Sequence, residues 1–339
     1  MKTVAVEAAE GMVLGHDLTQ IVPGKFKGVR FRKGHIIKKE DIPHLLNMGK
    51  KNIFVWDLAD GFIHEDEAAL RIAKAVAGNG LKLSVPREGK VELSSEIDGL
   101  LKVNLQGLDA VNTFQGTILS CLHTNQRVTA GKVVAGTRII PLVIENTLIK
   151  DLEDSARHNF PVIEIKPYQT FKVGIITTGS EVYEGRIKDA FGPVLRKKVE
   201  EVGSTVLKQV IVSDSVAMIV SAIQSMVTQG ADLILTTGGM SVDPDDVTPE
   251  GIRQAGGRVV TYGAPVLPGA MFMMAYIGDI PVMGLPGCVM YSRTSIFDLI
   301  FPRVLAGEII TRDEIIKLGH GSMCLSCPEC TYPDCGFGK

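Results

Sequence analysis

Residues 171–181 read Phe-Lys-Val-Gly-Ile-Ile-Thr-Thr-Gly-Ser-Glu, and residues 231–241 read Ala-Asp-Leu-Ile-Leu-Thr-Thr-Gly-Gly-Met-Ser. Each is a near-continuous apolar run that stops in Thr-Thr-Gly, as a strand buried on both faces does when it is released into a turn. Between them the pattern predicts a helix over 190–202 (Val194, Leu195, Val199, Val202), a strand over 205–212 and a helix over 216–227 (Val216, Ile219, Val220, Ile223, Val227). Buried strands alternating with helices imply right-handed crossovers and a parallel sheet covered on both faces. The expected fold is therefore α/β: a C-terminal doubly wound, mostly parallel sheet preceded by β-rich N-terminal modules. The sheet domain continues through a helix after Asp246, two or three strands up to Met283, and a helix from Cys288 to Phe301 stopped by Pro302.

Working outward, the pattern changes character at Phe171, after a stretch from Asp151 to Tyr168 that mixes charge with Pro161 and Pro167. Residues 1–62 read as a β-rich module, with Met12 to Leu18 and Asn52 to Trp56 as apolar pieces around a basic run from Lys25 to Lys39. In 63–170 a helix over 65–77 carries Ala68, Ala69, Ile72, Ala73 and Val76 on one face. Glu65, Asp66 and Glu67 stand in its first turn, where the helix dipole favours anions. Glycine-punctuated β-branched runs from Val85 to Ile144 then form a second β-rich unit. The division predicted is 1–62, 63–170, 171–310 and a Cys-rich tail, 311–339.

The 339 residues suffice for two or three domains with no disulfide framework. Lys and Arg total 36 against 38 Asp and Glu, so no global positive field exists to hold a phosphate polymer, and nucleic acid is not an expected partner. Apolar runs such as 139–144, broken by Pro141, fall far short of the ~20 residues of a membrane span. Glu7 and Glu10 interrupt what a signal peptide would keep apolar, which predicts a cytoplasmic protein.

In an open parallel sheet ligands bind beyond the carboxyl ends of the strands where strand order reverses, so the two Thr-Thr-Gly loops are expected to meet. Thr178, Gly179, Ser180 and Glu181 on one side, and Gly238, Gly239 and Ser241 on the other, offer hydroxyls, close backbone approach and amide donors to a phosphate. Asp243, Asp245 and Asp246 surround Pro244, before Thr248-Pro249, which reads as an N-cap with proline at the first helical position. Clustered carboxylates either stay solvated or turn inward to hold Mg2+ beside a phosphate. Asp189 precedes one helix and Asp214 follows the second strand, and each has N-capping as its simplest role. No Walker-type loop, dinucleotide fingerprint, zincin spacing or nucleophile elbow is present.

Thr178-Gly179-Ser180-Glu181, Gly185-Arg186-Ile187-Lys188-Asp189, Asp214, Gly238-Gly239-Met240-Ser241 with Asp246, Pro268-Gly269 and Leu285-Pro286-Gly287 together resemble the molybdopterin-binding domain of MoeA-type molybdotransferases and MogA-type adenylyltransferases. The resemblance implies that Thr178, Gly179, Ser180, Glu181, Asp214, Gly238, Gly239, Ser241, Asp245, Pro268, Gly269, Pro286 and Gly287 bind molybdopterin or its adenylate. It implies Asp189 and Asp246 as the catalytic pair, with Mg2+. It also implies the usual homodimer, a pterin phosphate as small-molecule partner, ATP and molybdate as co-substrates, and a client molybdoenzyme for a carrier. Pro244-Asp245-Asp246-Val247-Thr248 is similar to CinA-type relatives that act on nucleotide diphosphates. Gly11 to Leu18 looks like the opening of MoeA-type chains, but the Asp-Gly-Tyr-Ala segment of an insertase's second site is absent, and 22–34 runs Val-Pro-Gly-Lys-Phe-Lys-Gly-Val-Arg-Phe-Arg-Lys-Gly instead. Three readings follow: a transferase of molybdenum cofactor biosynthesis, a non-enzymatic carrier or sensor of the cofactor, and a CinA-like nucleotide pyrophosphatase.

Four of the six cysteines, Cys324, Cys327, Cys330 and Cys335, fall in the last 16 residues with spacing x2, x2, x4. Such compact spacing suits an iron–sulfur cluster, with Zn2+ as the alternative. Between Gly319 and Lys339, Met323, Leu325, Tyr332 and Phe337 are the only sizeable apolar residues besides cysteine, so metal is the expected source of order there.

Overall fold

The computed structural model describes residues 2–22, 25–55 and 61–339, so Pro23, Gly24 and Trp56 of the sequence reading lie outside the described residues. Two compact units result: Met1–Glu96 with Lys102–Leu122 and Ala130–Ile165, and Lys166–Lys339 with Ile97–Leu101 and His123–Thr129.

In the first unit, strand Lys2–Ala5 pairs antiparallel with Asn52–Val55, and Leu18–Val22 with Phe26–Phe31, around a core of Val6, Leu14, Leu45 and Ile53. The predicted helix is Glu65–Val76, its buried face made of the five expected residues. A four-stranded sheet has the order Leu81–Leu83, Lys90–Ser95, Val133–Ile139, Thr117–Cys121.

Three helices escaped the reading of a β-rich N-terminal half: Asp41–Asn47, Leu105–Asn112 and Asn146–His158. Leu105–Asn112 contains Gly107, which looks like turn punctuation. It is buried instead, and an added Cβ would stand 2.9 Å from the Cβ of Asn159. Asn146–His158 buries only Ile149, Leu152 and Ala156, an i, i+3, i+7 stripe sparse enough to read as mixed charge.

The second unit is built on a six-stranded sheet in the order Thr205–Val212, Lys172–Thr178, Leu233–Thr237, Ile280–Leu285, Met273–Ile277, Arg258–Tyr262. The first four strands are parallel and the last two antiparallel. Val173, Ile175, Leu233 and Leu235 face helices Phe191–Glu200 and Ile296–Leu305. On the other face, Ile176 and Ile234 pack with helices Val216–Thr228 and Thr248–Gln254. Full burial of one such aliphatic side chain contributes about 1.5–3 kcal/mol, which is why these strands read as continuous apolar runs.

The segment expected to be one helix from Cys288 to Phe301 is two, Cys288–Tyr291 and Ile296–Leu305, divided at Ser292 to Ser295. Ser295 caps the second helix in a capping box with Asp298, so a new helix starts where the sequence suggested continuation. Pro302 does not stop this helix but lies inside it. Proline has no N–H for the carbonyl of Asp298 four residues back, and that carbonyl accepts instead from the Tyr332 hydroxyl at 2.9 Å. Asp298 also ion-pairs with Lys198.

The tail also makes contacts of its own with the rest of the second unit. Tyr332 and Phe337 stack edge to face at 6.1 Å between centroids, and Phe337 is 5% exposed. Gln126 Nε2 donates to the carbonyl of Pro333 at 3.1 Å, and the N–H of Cys324 donates to the carbonyl of Leu267 at 2.8 Å. Two well-placed aromatics and a short backbone pairing dock the tail.

Candidate functional site

Register places the expected residues on one edge. Thr177 lies level with Thr237, Thr237 with Leu285, and Gly284 with Met273. The loops that follow Thr178, Thr237 and Leu285, and the one that precedes Met273, therefore all leave the sheet at the same end. The chain passes from Lys172–Thr178 to Thr205–Val212 on one side and returns to Leu233–Thr237 on the other, so strand order reverses between the two Thr-Thr-Gly strands. This is the switch point at which such sheets bind ligands.

The first loop is latched to the end of the second strand. The Ser180 N–H donates to Asp214 Oδ2 at 2.7 Å, the Asp214 N–H to Ser180 Oγ at 3.3 Å, and the Gly179 N–H to the Val212 carbonyl at 3.1 Å. The second loop turns on Gly238 (φ 84) and Gly239 (φ 55). A Cβ on Gly238 would stand 2.1 Å from the Thr178 carbonyl oxygen, so only glycine lets the loops touch. The buried Thr178 hydroxyl lies 2.9 Å from that of Thr248, whose N–H donates to the Gly239 carbonyl. Met240 is buried beneath the turn, where a Cβ on Gly284 would meet its Cε at 2.6 Å.

Among the described residues, the N–H groups of Gly239, Met240 and Ser241 have no protein acceptor. Thr237 Oγ1 is buried without a partner in the same stretch. Unclaimed amides in a left-handed glycine turn beside hydroxyls form a concavity suited to a phosphate.

The carboxylates are more committed than the sequence suggested. Asp189 accepts from the N–H of Phe191 (2.9 Å) and of Gly192 (3.0 Å), and from Gln209 Nε2 at 2.5 Å. A Cβ on Gly192 would fall 2.1 Å from Gln209 Nε2, so a larger residue there would displace the Gln209 and Asp189 side chains. Asp246 Oδ2 accepts the Asp243 N–H at 3.1 Å, closing its own turn, while Asp243 and Asp245 are exposed. Among the described residues no three His, Cys, Asp or Glu side chains converge on an ion-sized point. Thr248 is not the N-cap expected but the first helical residue; Val247 precedes it, and the threonine hydroxyl is spent on Thr178.

Tyr262 was not read from the sequence. Its hydroxyl reaches the carbonyls of Met240 (2.8 Å) and Ser241 (3.2 Å) and braces the glycine turn from the antiparallel edge. Burial pushes its phenol up, with the Asp246 carboxylate adding to the effect. No sequence signal marks such a brace, nor Gln209 in the middle of a strand. Pro268 and Gly269 leave the same end of the sheet but are held against Ile296, whose N–H donates to the Pro268 carbonyl at 3.2 Å. Glu181 is exposed in the short helix Ser180–Tyr183, and Pro286 and Gly287 follow Leu285.

Residues 174–306 match the family model described as "Probable molybdopterin binding domain", and residues 3–57 match a domain of unknown function. A CinA-like protein of Mycobacterium avium (strain 104) is 35% identical over 95 residues, 28% of this chain and 22% of the relative. One from Mycobacterium tuberculosis (strain ATCC 25177 / H37Ra) is 37% identical over 87 residues, 26% and 20% of the two chains. The match thus spans about a fifth of the length of these curated relatives. Among solved structures, the molybdopterin biosynthesis enzyme MoaB of Thermus thermophilus is similar, with TM-score 0.35 and 22% identity over 41% of this chain and 98% of that one. The tungsten cofactor synthesizing protein MoaB of Pyrococcus furiosus has TM-score 0.32 and 20% identity over 40% and 91%. No helix among the described residues is long and apolar enough to cross a membrane.

Proposed function

Because residues 174–306 match a family model described as a probable molybdopterin binding domain, we propose that the Thr178 and Gly238–Ser241 loops hold the phosphate end of molybdopterin, or of its adenylate, and that the protein serves molybdenum cofactor maturation. The observation that carries this reading is the Gly238-Gly239 turn with the unclaimed amides of Gly239, Met240 and Ser241, set against the Thr178 strand end. Hydroxyls of Ser180 and Ser241 add donors, and Asp214 keeps Ser180 in place. Mg2+ on Asp246, with Asp245, would neutralise charge at the bound phosphate. Asp189 acts as a positioning residue, because three donors already hold its carboxylate at the start of the Phe191–Glu200 helix.

The decisive experiment incubates the full chain without air with molybdopterin, Mg2+, ATP and molybdate, measuring binding and assaying for adenylated pterin, AMP and molybdenum-loaded cofactor. Tight binding is expected, and the product identifies the transfer step. Binding without any product leaves a carrier for a client molybdoenzyme, while no binding sinks the reading. The CinA-like relatives and the Pro244-Asp245-Asp246 turn favour a second reading, hydrolysis of a nucleotide diphosphate. Mg2+-dependent cleavage of ADP-ribose in the absence of pterin would replace the first reading with the second.

A further inference from the structure

Cys324, Cys327, Cys330 and Cys335 all line one cavity of about 670 Å3 in the second unit. Cys324 and Cys335 are half-buried and pack against the domain core, whereas Cys327 and Cys330 are exposed on the connecting loop. The surroundings make further contacts with the cysteine-bearing loop. Residue 324 is paired to Leu267 through its N–H, and Leu267 in turn donates to the Ser322 carbonyl at 2.9 Å. Arg293 Nη1 donates to the Pro328 carbonyl at 2.9 Å, which pins the loop between Cys327 and Cys330. Tyr332 is anchored on the Asp298 carbonyl, and Phe337 is buried just beyond Cys335.

We infer that this cavity binds a cubane iron–sulfur cluster ligated by the four cysteines. Three features of the site carry the inference. The x2, x2, x4 spacing places four cysteines within 12 residues of chain, and all four line one cavity. A mononuclear zinc site closes four sulfurs on a point at about 2.3 Å each. Here the four cysteines line a shared cavity, and among the described residues no three His, Cys, Asp or Glu side chains gather as a single ion would require. Finally, the Cys324 sulfur accepts from the Ser326 N–H at 3.5 Å, a bond of the kind that tunes cluster sulfurs, and lies 3.9 Å from the Thr294 hydroxyl. Ligation releases one proton from each thiol and leaves a cluster of net negative charge, with the Arg293 guanidinium lining the same cavity.

The inference is independent of the pterin reading, since iron content is measured without pterin. The full chain, produced and purified without air, is analysed for iron, acid-labile sulfide and zinc, and by absorption spectroscopy. About four irons and four sulfides per chain are expected, with a visible charge-transfer band that dithionite bleaches. Cys327→Ser and Cys330→Ser, at exposed positions that contribute nothing to packing, lose most of the iron. Cys121→Ser, in the other unit, keeps it, and circular dichroism verifies that each variant is folded. One zinc per chain without sulfide overturns the cluster. So does protein that stays metal-free after anaerobic incubation with iron salts and sulfide, or iron that survives both serine variants.

Discussion

The chain uses the same tripeptide twice on one sheet edge, and the two copies end differently. Thr177-Thr178-Gly179 runs into a short helix and is tied to Asp214, so its loop is closed by the protein itself. Thr236-Thr237-Gly238 runs into a second glycine, and its loop keeps three amides and one threonine hydroxyl without protein partners. Gly179 has φ 147, with only the flexible Glu181 carboxylate near its missing side chain, at 3.2 Å. Gly238 has φ 84 and backbone at 2.1 Å. Identical sequence therefore marks a wall in one place and a cradle in the other, and what separates them is the residue that follows the glycine.

The largest test of this contrast substitutes the two glycines. Gly238→Ala must force the loops apart, and we expect a cost of about 2–4 kcal/mol in denaturation together with loss of pterin binding by more than tenfold. Gly179→Ala meets backbone strain but no fixed obstacle, and should cost about 1–2 kcal/mol with binding reduced severalfold. Equal effects in titration calorimetry and urea melts would show that the two loops share one role.

Asp214 comes next, because it separates a latch from a charge. Removing the acceptor of the Ser180 N–H in Asp214→Ala should cost about 1–2 kcal/mol and weaken binding. Asp214→Asn retains an oxygen for that N–H and should restore most of both. Asn behaving like Ala in a binding titration would mean that the carboxylate charge acts on the ligand or its metal. Asp189→Ala should cost about 1 kcal/mol through the lost bonds at the helix start, with ligand affinity changed less than stability. A loss of Mg2+-dependent binding at unchanged stability would return Asp189 to the ligand.

Where pattern is dense, the sequence could be read closely. Thr205–Val212 is found at the residues its apolar run marks, and the helices at 191–200 and 216–228 are set by stripes of buried residues. The meeting of the two Thr-Thr-Gly loops at one end of the sheet was legible because parallel strands that end alike release their loops at the same edge. What the sequence hid is reached only through space. Tyr262, Gln209 and the bond from Tyr332 to the carbonyl that Pro302 leaves free join residues 20 or more positions apart. The helix division at Ser295 was local and readable, for Ser295 and Asp298 have capping-box spacing, but the apolar residues on both sides masked it.

The smallest effect is also the most discriminating. Thr237 is fully buried, its hydroxyl has no partner, and an unpaired buried hydroxyl costs about 1–3 kcal/mol relative to one that is bonded. Valine has nearly the same shape and no hydroxyl, so Thr237→Val should leave the unliganded protein as stable as before or up to about 1 kcal/mol more stable. If the cradle keeps that hydroxyl for the bound phosphate or for a water that accompanies it, the same substitution should weaken pterin binding several-fold. Opposite signs in a urea melt and a binding titration would show that stability is given up for function at Thr237 and not at Thr178, whose hydroxyl is already paired with Thr248. A destabilised Thr237→Val would show instead that the hydroxyl is satisfied within the fold, and the difference between the two tripeptides would rest on Gly239 alone.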